Sequence, residues 1–132
     1  MLTDEALEQI EELLVELRQH ASEGVPIVVE GMDDVKALRR LEIEGHFRKV
    51  SVGNSLLNFV ERISSSKEVI ILTDFDRTGD ELAEFIAKHL KRLGSEPITE
   101  FRDKLKLFVR REVKDIEGLA KFLQNQRARK KS

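Results

Sequence analysis

The chain alternates short apolar runs with polar turns and helically spaced segments, and that rhythm narrows the folds open to it more than any other feature. Ile27-Val28-Val29 is β-branched and ends in Glu30-Gly31, after which Val35, Leu38 and Leu41 recur at helical intervals. Lys49 to Val52 reads as a second strand, Gly53-Asn54 as a turn, and Leu56 to Ile63 as a helix ending in three serines. Val69 to Leu72, the most apolar run, enters the loop Thr73 to Gly79, and residues 80–93 then form an amphipathic helix stopped by Gly94. Ser95 to Lys104 reads as a loop with a helical turn, Leu105 to Val109 as a fourth strand, and Asp115 to Gln126 as a final helix. Ahead of these units, Thr3 can cap a helix running to about His20, with Leu7, Ile10, Leu13, Leu14 and Leu17 on one apolar face. Strands alternating with helices predict an α/β fold of βαβ crossovers, with about four strands in a mainly parallel sheet and helices on both faces. A chain of 132 residues can bury one such core, so a single domain is expected.

In an open parallel sheet, ligands bind at the carboxyl ends of the strands, which directs attention to the residues just after each run. Those positions are acidic: Glu30 after the first, Asp74 and Asp76 after the third, and Asp115 several residues beyond the fourth. Crowded carboxylates raise one another's pKa unless a cation neutralises them. In Asp74-Phe75-Asp76, extended backbone points both acids to one side while Phe75 turns away to anchor the loop. A helix-capping role serves an Asp-x-Asp equally well on this pattern alone. The chain has no Cys and three scattered His, so a metal would have to be held by carboxylates, which suits Mg²⁺ or Mn²⁺.

The net charge of −2 hides an asymmetry. Residues 1–24 hold seven acids against Arg18, whereas residues 100–132 hold eleven Lys or Arg against five acids. The basic third can meet nucleic-acid phosphates, solubilise a tail or pair with the acidic first helix. No stretch approaches the roughly 20 apolar residues of a membrane span, and the acidic start lacks a signal peptide's basic and apolar regions. A cytoplasmic protein without a membrane partner is expected.

The motifs resemble those of the TOPRIM family of topoisomerases, bacterial-type primases and certain nucleases. Glu30-Gly31 follows one apolar strand, and Asp74-Phe75-Asp76-Arg77-Thr78-Gly79 follows another about forty residues later. Val29 to Val35 is similar to the first motif of primases and ribosomal-RNA maturation nucleases, and Leu72 to Ala83 to the topoisomerase form of the second. Gly53-Asn54-Ser55-Leu56 sits where primases have a Gly-Thr-Ala-Leu turn, and Lys114-Asp115 where many members place a Lys-Asp pair. The resemblance spans residues 25–123. It implies a TOPRIM, Rossmann-like domain there, with a packed amphipathic helix at 1–24 and a basic tail at 124–132.

From the resemblance, Glu30 takes general acid/base chemistry or metal binding, and Asp74 and Asp76 take Mg²⁺; Asp34 matches a further acidic position of the primase form. Arg77 in the loop and Lys36 on the following helix are candidate phosphate contacts, and His46 and His89 have no expected catalytic duty. The family hosts several chemistries, and the absences discriminate among them. Without Tyr the chain lacks a topoisomerase's nucleophile, and without Cys it lacks a primase's zinc module. A nuclease needs only metal, water and an acid/base. The expectation is therefore a Mg²⁺-dependent RNA or DNA nuclease, the alternative being a non-catalytic, metal-dependent nucleic-acid-binding subunit of a larger complex. An interaction module using the first helix, as a homodimer or in a protein complex, ranks third.

Overall fold

A computed structural model describes residues 2–50 and 55–131. In chain order the elements are α1 (Asp4–Ser22), β1 (Ile27–Val29), α2 (Met32–Arg40), β2 (Phe47–Lys49), α3 (Leu56–Ile63), β3 (Glu68–Ile71), α4 (Arg77–Arg92), β4 (Glu96–Ile98), α5 (Glu100–Val109) and α6 (Ile116–Lys131). The four strands pair in parallel, in the order β2-β1-β3-β4. This is the expected α/β architecture.

Alternation of side chains along each strand divides the core in two. Ile27, Val29, Ile70 and Leu72 face a layer formed by α1, α2, α5 and α6, whose contributions include Leu14, Leu38, Leu105 and Leu119. Val28, Val69 and Ile71 face the opposite layer, where α3 supplies Phe59, Val60 and Ile63 and α4 supplies Ala83, Ile86 and Leu90. Because both faces are covered, the central strands are apolar apart from the exposed Glu68 that opens β3, and Ile27, Val28, Ile70 and Ile71 are 0% exposed. Truncating any of these Ile to Ala would cost about 2–5 kcal/mol. Local signals set the helix ends: Thr3 and Ser55 accept from the backbone N–H three residues on, and Gly94 takes φ +86 just past α4.

Two expectations are corrected. Leu105 to Val109 is not the fourth strand but the second half of α5; the fourth strand is Glu96–Ile98. The buried positions Phe101, Arg102, Leu105 and Val109 recur with helical spacing, and Leu107, which a strand would bury beside Leu105, is 66% exposed. The second strand lies at Phe47–Lys49 instead of Lys49 to Val52; Ser51, Val52 and the Gly53-Asn54 turn fall outside the described residues. In addition, α6 continues through the basic segment to Lys131.

The consequence for function lies in the strand order. From β1 the chain crosses to β2 on one side, and from β3 it crosses to β4 on the other, so the carboxyl ends of β1 and β3 flank the point where the winding reverses. A crevice opens there in sheets of this kind. No helix among the described residues is long and apolar enough to cross a membrane.

Candidate functional site

Glu30 leaves the end of β1, and the loop after β3 begins beside it. The Glu30 Oε2 accepts the Asp74 backbone N–H at 2.7 Å, joining the two motifs across 44 residues. Phe75, 5% exposed, is buried in the core as the motif suggests, and its N–H donates to the Lys114 carbonyl at 2.7 Å. The Asp74 Oδ1 accepts the Ile116 N–H at 3.2 Å, so the start of α6 forms a third wall. Asp34, in the first turn of α2, reaches back to the Gly31 N–H at 3.0 Å and is 8% exposed.

Glu30, Asp34, Asp74 and Asp115 are thus gathered at one sheet edge. Burial pushes the Asp34 carboxyl up to about 6, assisted by the charges of Asp74 and Asp115. Burial also pushes Asp74 up to about 6, with Glu30, Asp115 and Asp76 adding repulsion and the bond from the Ile116 N–H opposing it. Among the described residues no Lys or Arg forms an ion pair with Glu30, Asp34, Asp74 or Asp76.

Asp76 is placed differently. It is exposed and caps α4, its Oδ1 accepting the Gly79 N–H at 2.7 Å, so the capping role open on sequence grounds is realised. Arg77 is exposed and pairs with Glu81 at 3.2 Å, pointing along α4; Lys36 lies exposed on α2. Asp115 likewise serves as a cap, accepting from the Gly118 N–H at 2.6 Å. Among the described residues no three acidic or His side chains converge as a metal-binding set.

The loop is confined by further contacts, of which the sequence marks only Gly79, as a residue required by the backbone. A Cβ on Gly79 would lie 1.8 Å from the Asp74 carbonyl oxygen, so only glycine permits this closure. The Thr73 hydroxyl donates to the Gly79 carbonyl at 2.7 Å. Arg102, 3% exposed, donates from Nε to the Thr73 carbonyl at 3.0 Å and from Nη2 to the Asp74 carbonyl and to Asp80.

A profile of the Toprim domain matches residues 25–106, from just ahead of β1 to within α5. The chain belongs to the Toprim domain family. The Toprim match includes Glu30, Asp34, Asp74, Asp76 and Arg102, and ends before the Lys114 to Ile116 wall. The chain is 45% identical over 118 residues to a UPF0292 protein of Methanosarcina barkeri, covering 89% of this chain and 82% of that one. It is 36% identical over 124 residues to a UPF0292 protein of Methanocaldococcus jannaschii, covering 93% and 96%. A solved structure of a protein from Aquifex aeolicus superposes with a TM-score of 0.66 at 29% identity, covering 81% of this chain and 94% of that one.

Proposed function

We propose that this Toprim domain is a Mg²⁺-dependent (or Mn²⁺-dependent) phosphodiester hydrolase acting on RNA or DNA, of the kind that processes RNA. The observation that carries the reading is four carboxylates at the topological switch point, Glu30, Asp34, Asp74 and Asp115, none of which forms an ion pair with a basic side chain among the described residues. Half-buried acids that repel one another are costly unless a cation shares the site. The donor set fits such an ion: all are hard carboxylate oxygens, and Asp34, Asp74 and Glu30 each have one oxygen anchored by a backbone N–H.

Since no three such side chains converge among the described residues, one or two would bind directly, Asp74 with Glu30, and Asp34 and Asp76 through water. A bound Mg²⁺ supplies an activated water and neutralises charge on the scissile phosphate. Glu30, oriented by the Asp74 N–H, is the group to take or return a proton, through the oxygen that this bond leaves open. Arg77 would exchange Glu81 for a substrate phosphate, and Lys36 would offer a second contact.

The test is incubation of the purified protein with structured RNA, single-stranded DNA and duplex DNA in Mg²⁺ or Mn²⁺, alongside EDTA and an Asp74→Ala/Asp76→Ala variant. Cleavage lost in both controls supports the nuclease. The use of Asp76 as a helix cap favours the second reading, a non-catalytic subunit of a nucleic-acid-processing complex. Intact substrate, with Mg²⁺-dependent binding that the double substitution abolishes, would select it.

A further inference from the structure

The proposed cation site needs the Thr73 to Gly79 backbone in one conformation, and the side chain best placed to impose it comes from outside both acidic motifs. Arg102 sits on the first turn of α5, 28 residues beyond Asp74, and is almost wholly buried. Its planar guanidinium touches three acceptors at once. Nε donates to the Thr73 carbonyl at 3.0 Å, and Nη2 donates to the Asp74 carbonyl and to the Asp80 Oδ1, the latter at 2.7 Å. Asp80 is in turn gripped by Lys106 Nζ at 2.7 Å from each oxygen. These contacts hold the Asp80 carboxyl below the usual range, the Lys106 bond contributing most.

We propose that Arg102 is a positioning residue for the acidic loop: by binding the Thr73 and Asp74 carbonyls from below, it sets the direction in which the Asp74 carboxylate leaves the backbone. The carbonyl and the N–H of Asp74 are then both fixed, the one by Arg102 and the other by Glu30, so the residue between them is held on both sides. Two further observations agree. Gly79 closes so tightly on the Asp74 carbonyl that a side chain at 79 is excluded, so the carbonyl that Arg102 binds is also confined by the start of α4. The pairing with Asp80 keeps the buried guanidinium neutralised without drawing charge from the acids above it. A lysine at 102 would present a compact ammonium and could not span the three acceptors as a planar fork does.

The metal arm of this inference rests on the cation reading above, and the exchange arm does not. The test compares wild type, Arg102→Lys, Asp80→Asn and Lys106→Met by titration with Mn²⁺ and by amide hydrogen exchange without metal. Lys106 touches Asp80 but neither loop carbonyl, so its variant is the control. Arg102→Lys is expected to weaken Mn²⁺ binding about 10-fold or more, the usual penalty for losing a group that orients a ligand. It should also speed exchange at the Asp74, Phe75 and Gly79 amides while leaving the Leu72 amide, bonded to Val28, protected. Asp80→Asn gives the milder version of both changes should Arg102→Lys fold poorly.

A lowered melting temperature with unchanged Mn²⁺ affinity and unchanged loop exchange would overturn the proposal and reduce Arg102 to a tether for α5. If the wild type binds no Mn²⁺, the cation reading falls and exchange decides alone. Faster exchange confined to the loop then upholds the positioning role, and unchanged exchange overturns it.

Discussion

Replacing Asp34 with Asn should stabilise the metal-free protein at neutral pH, although it removes a hydrogen-bonded, buried side chain. Asp34 is 8% exposed, and its carboxyl is raised from 3.8 to about 6, chiefly by burial and then by the charge of Asp74. Each unit is worth about 1.4 kcal/mol, so roughly two units set a ceiling near 3 kcal/mol on the cost of ionising it in the fold. An Asn oxygen can still accept the Gly31 N–H. Against the gain stands the loss of a carboxylate at the start of α2, worth about 0.3–1 kcal/mol, and the part of the rise due to Asp74 belongs to the pair and not to Asp34 alone. The expected net gain is about 1–2 kcal/mol at pH 7.5. The sign follows from the raised folded pKa: Asp34 holds its proton more tightly in the native wild type than in the unfolded chain, so its contribution to stability falls as pH rises from about 4 to about 6. The variant's advantage should therefore be full above about pH 6 and fade near pH 4. With no Trp or Tyr in the chain, urea unfolding in EDTA is followed by far-ultraviolet circular dichroism across that range. A variant less stable than wild type at pH 7.5, or an advantage independent of pH, would refute the argument.

Gly79→Ala should destabilise by about 3 kcal/mol or more in the same urea assay, because its Cβ would overlap the Asp74 carbonyl and backbone must move. Leu105→Ala should cost about 2–5 kcal/mol and Leu107→Ala less than about 0.5, a contrast that a helix produces and a strand would not. Arg127 grips Glu11 with two hydrogen bonds of 2.5 and 2.7 Å, both groups being about one-third exposed, so a double-mutant cycle should give a coupling near 1 kcal/mol. Because Arg127 lowers the Glu11 pKa, that contribution is present above the ordinary glutamate value of 4.5 and should be lost as pH falls through and below it. Salt should weaken it as well.

The units whose sequence pattern matches their environment were readable directly. Ile27 to Val29 and Leu56 to Ile63 are delimited by a β-branched run and by a serine cap, and both lie where expected. The fourth strand was not readable because Glu96-Pro97-Ile98 is three residues long with a proline, tolerable only at a sheet edge. Leu105 to Val109 meanwhile alternates like a strand, and only the burial of Phe101 and Arg102 reveals its helical period. The acids were visible because metal-binding chemistry restricts residue type and position. Arg102 was not, since a single arginine in a charged segment carries no signal until the fold shows it buried under the loop. The capping by Asp76 was weighed from sequence, but geometry alone could decide it.

The last described helix has a bearing on how the domain is made. Residues of α6 complete the core layer that α2 begins, Gln126 accepts the Leu2 N–H, and Ile116 donates to Asp74. Contacts between segments so distant in sequence form slowly and only after the intervening chain is present. During synthesis, the strands and acidic turns must therefore wait, incompletely covered, until residues 116–131 have emerged. A nascent or truncated chain ending before Ile116 would carry every acid of the cluster while lacking the wall that fixes Asp74, so the ordered cluster should arrive late and all at once.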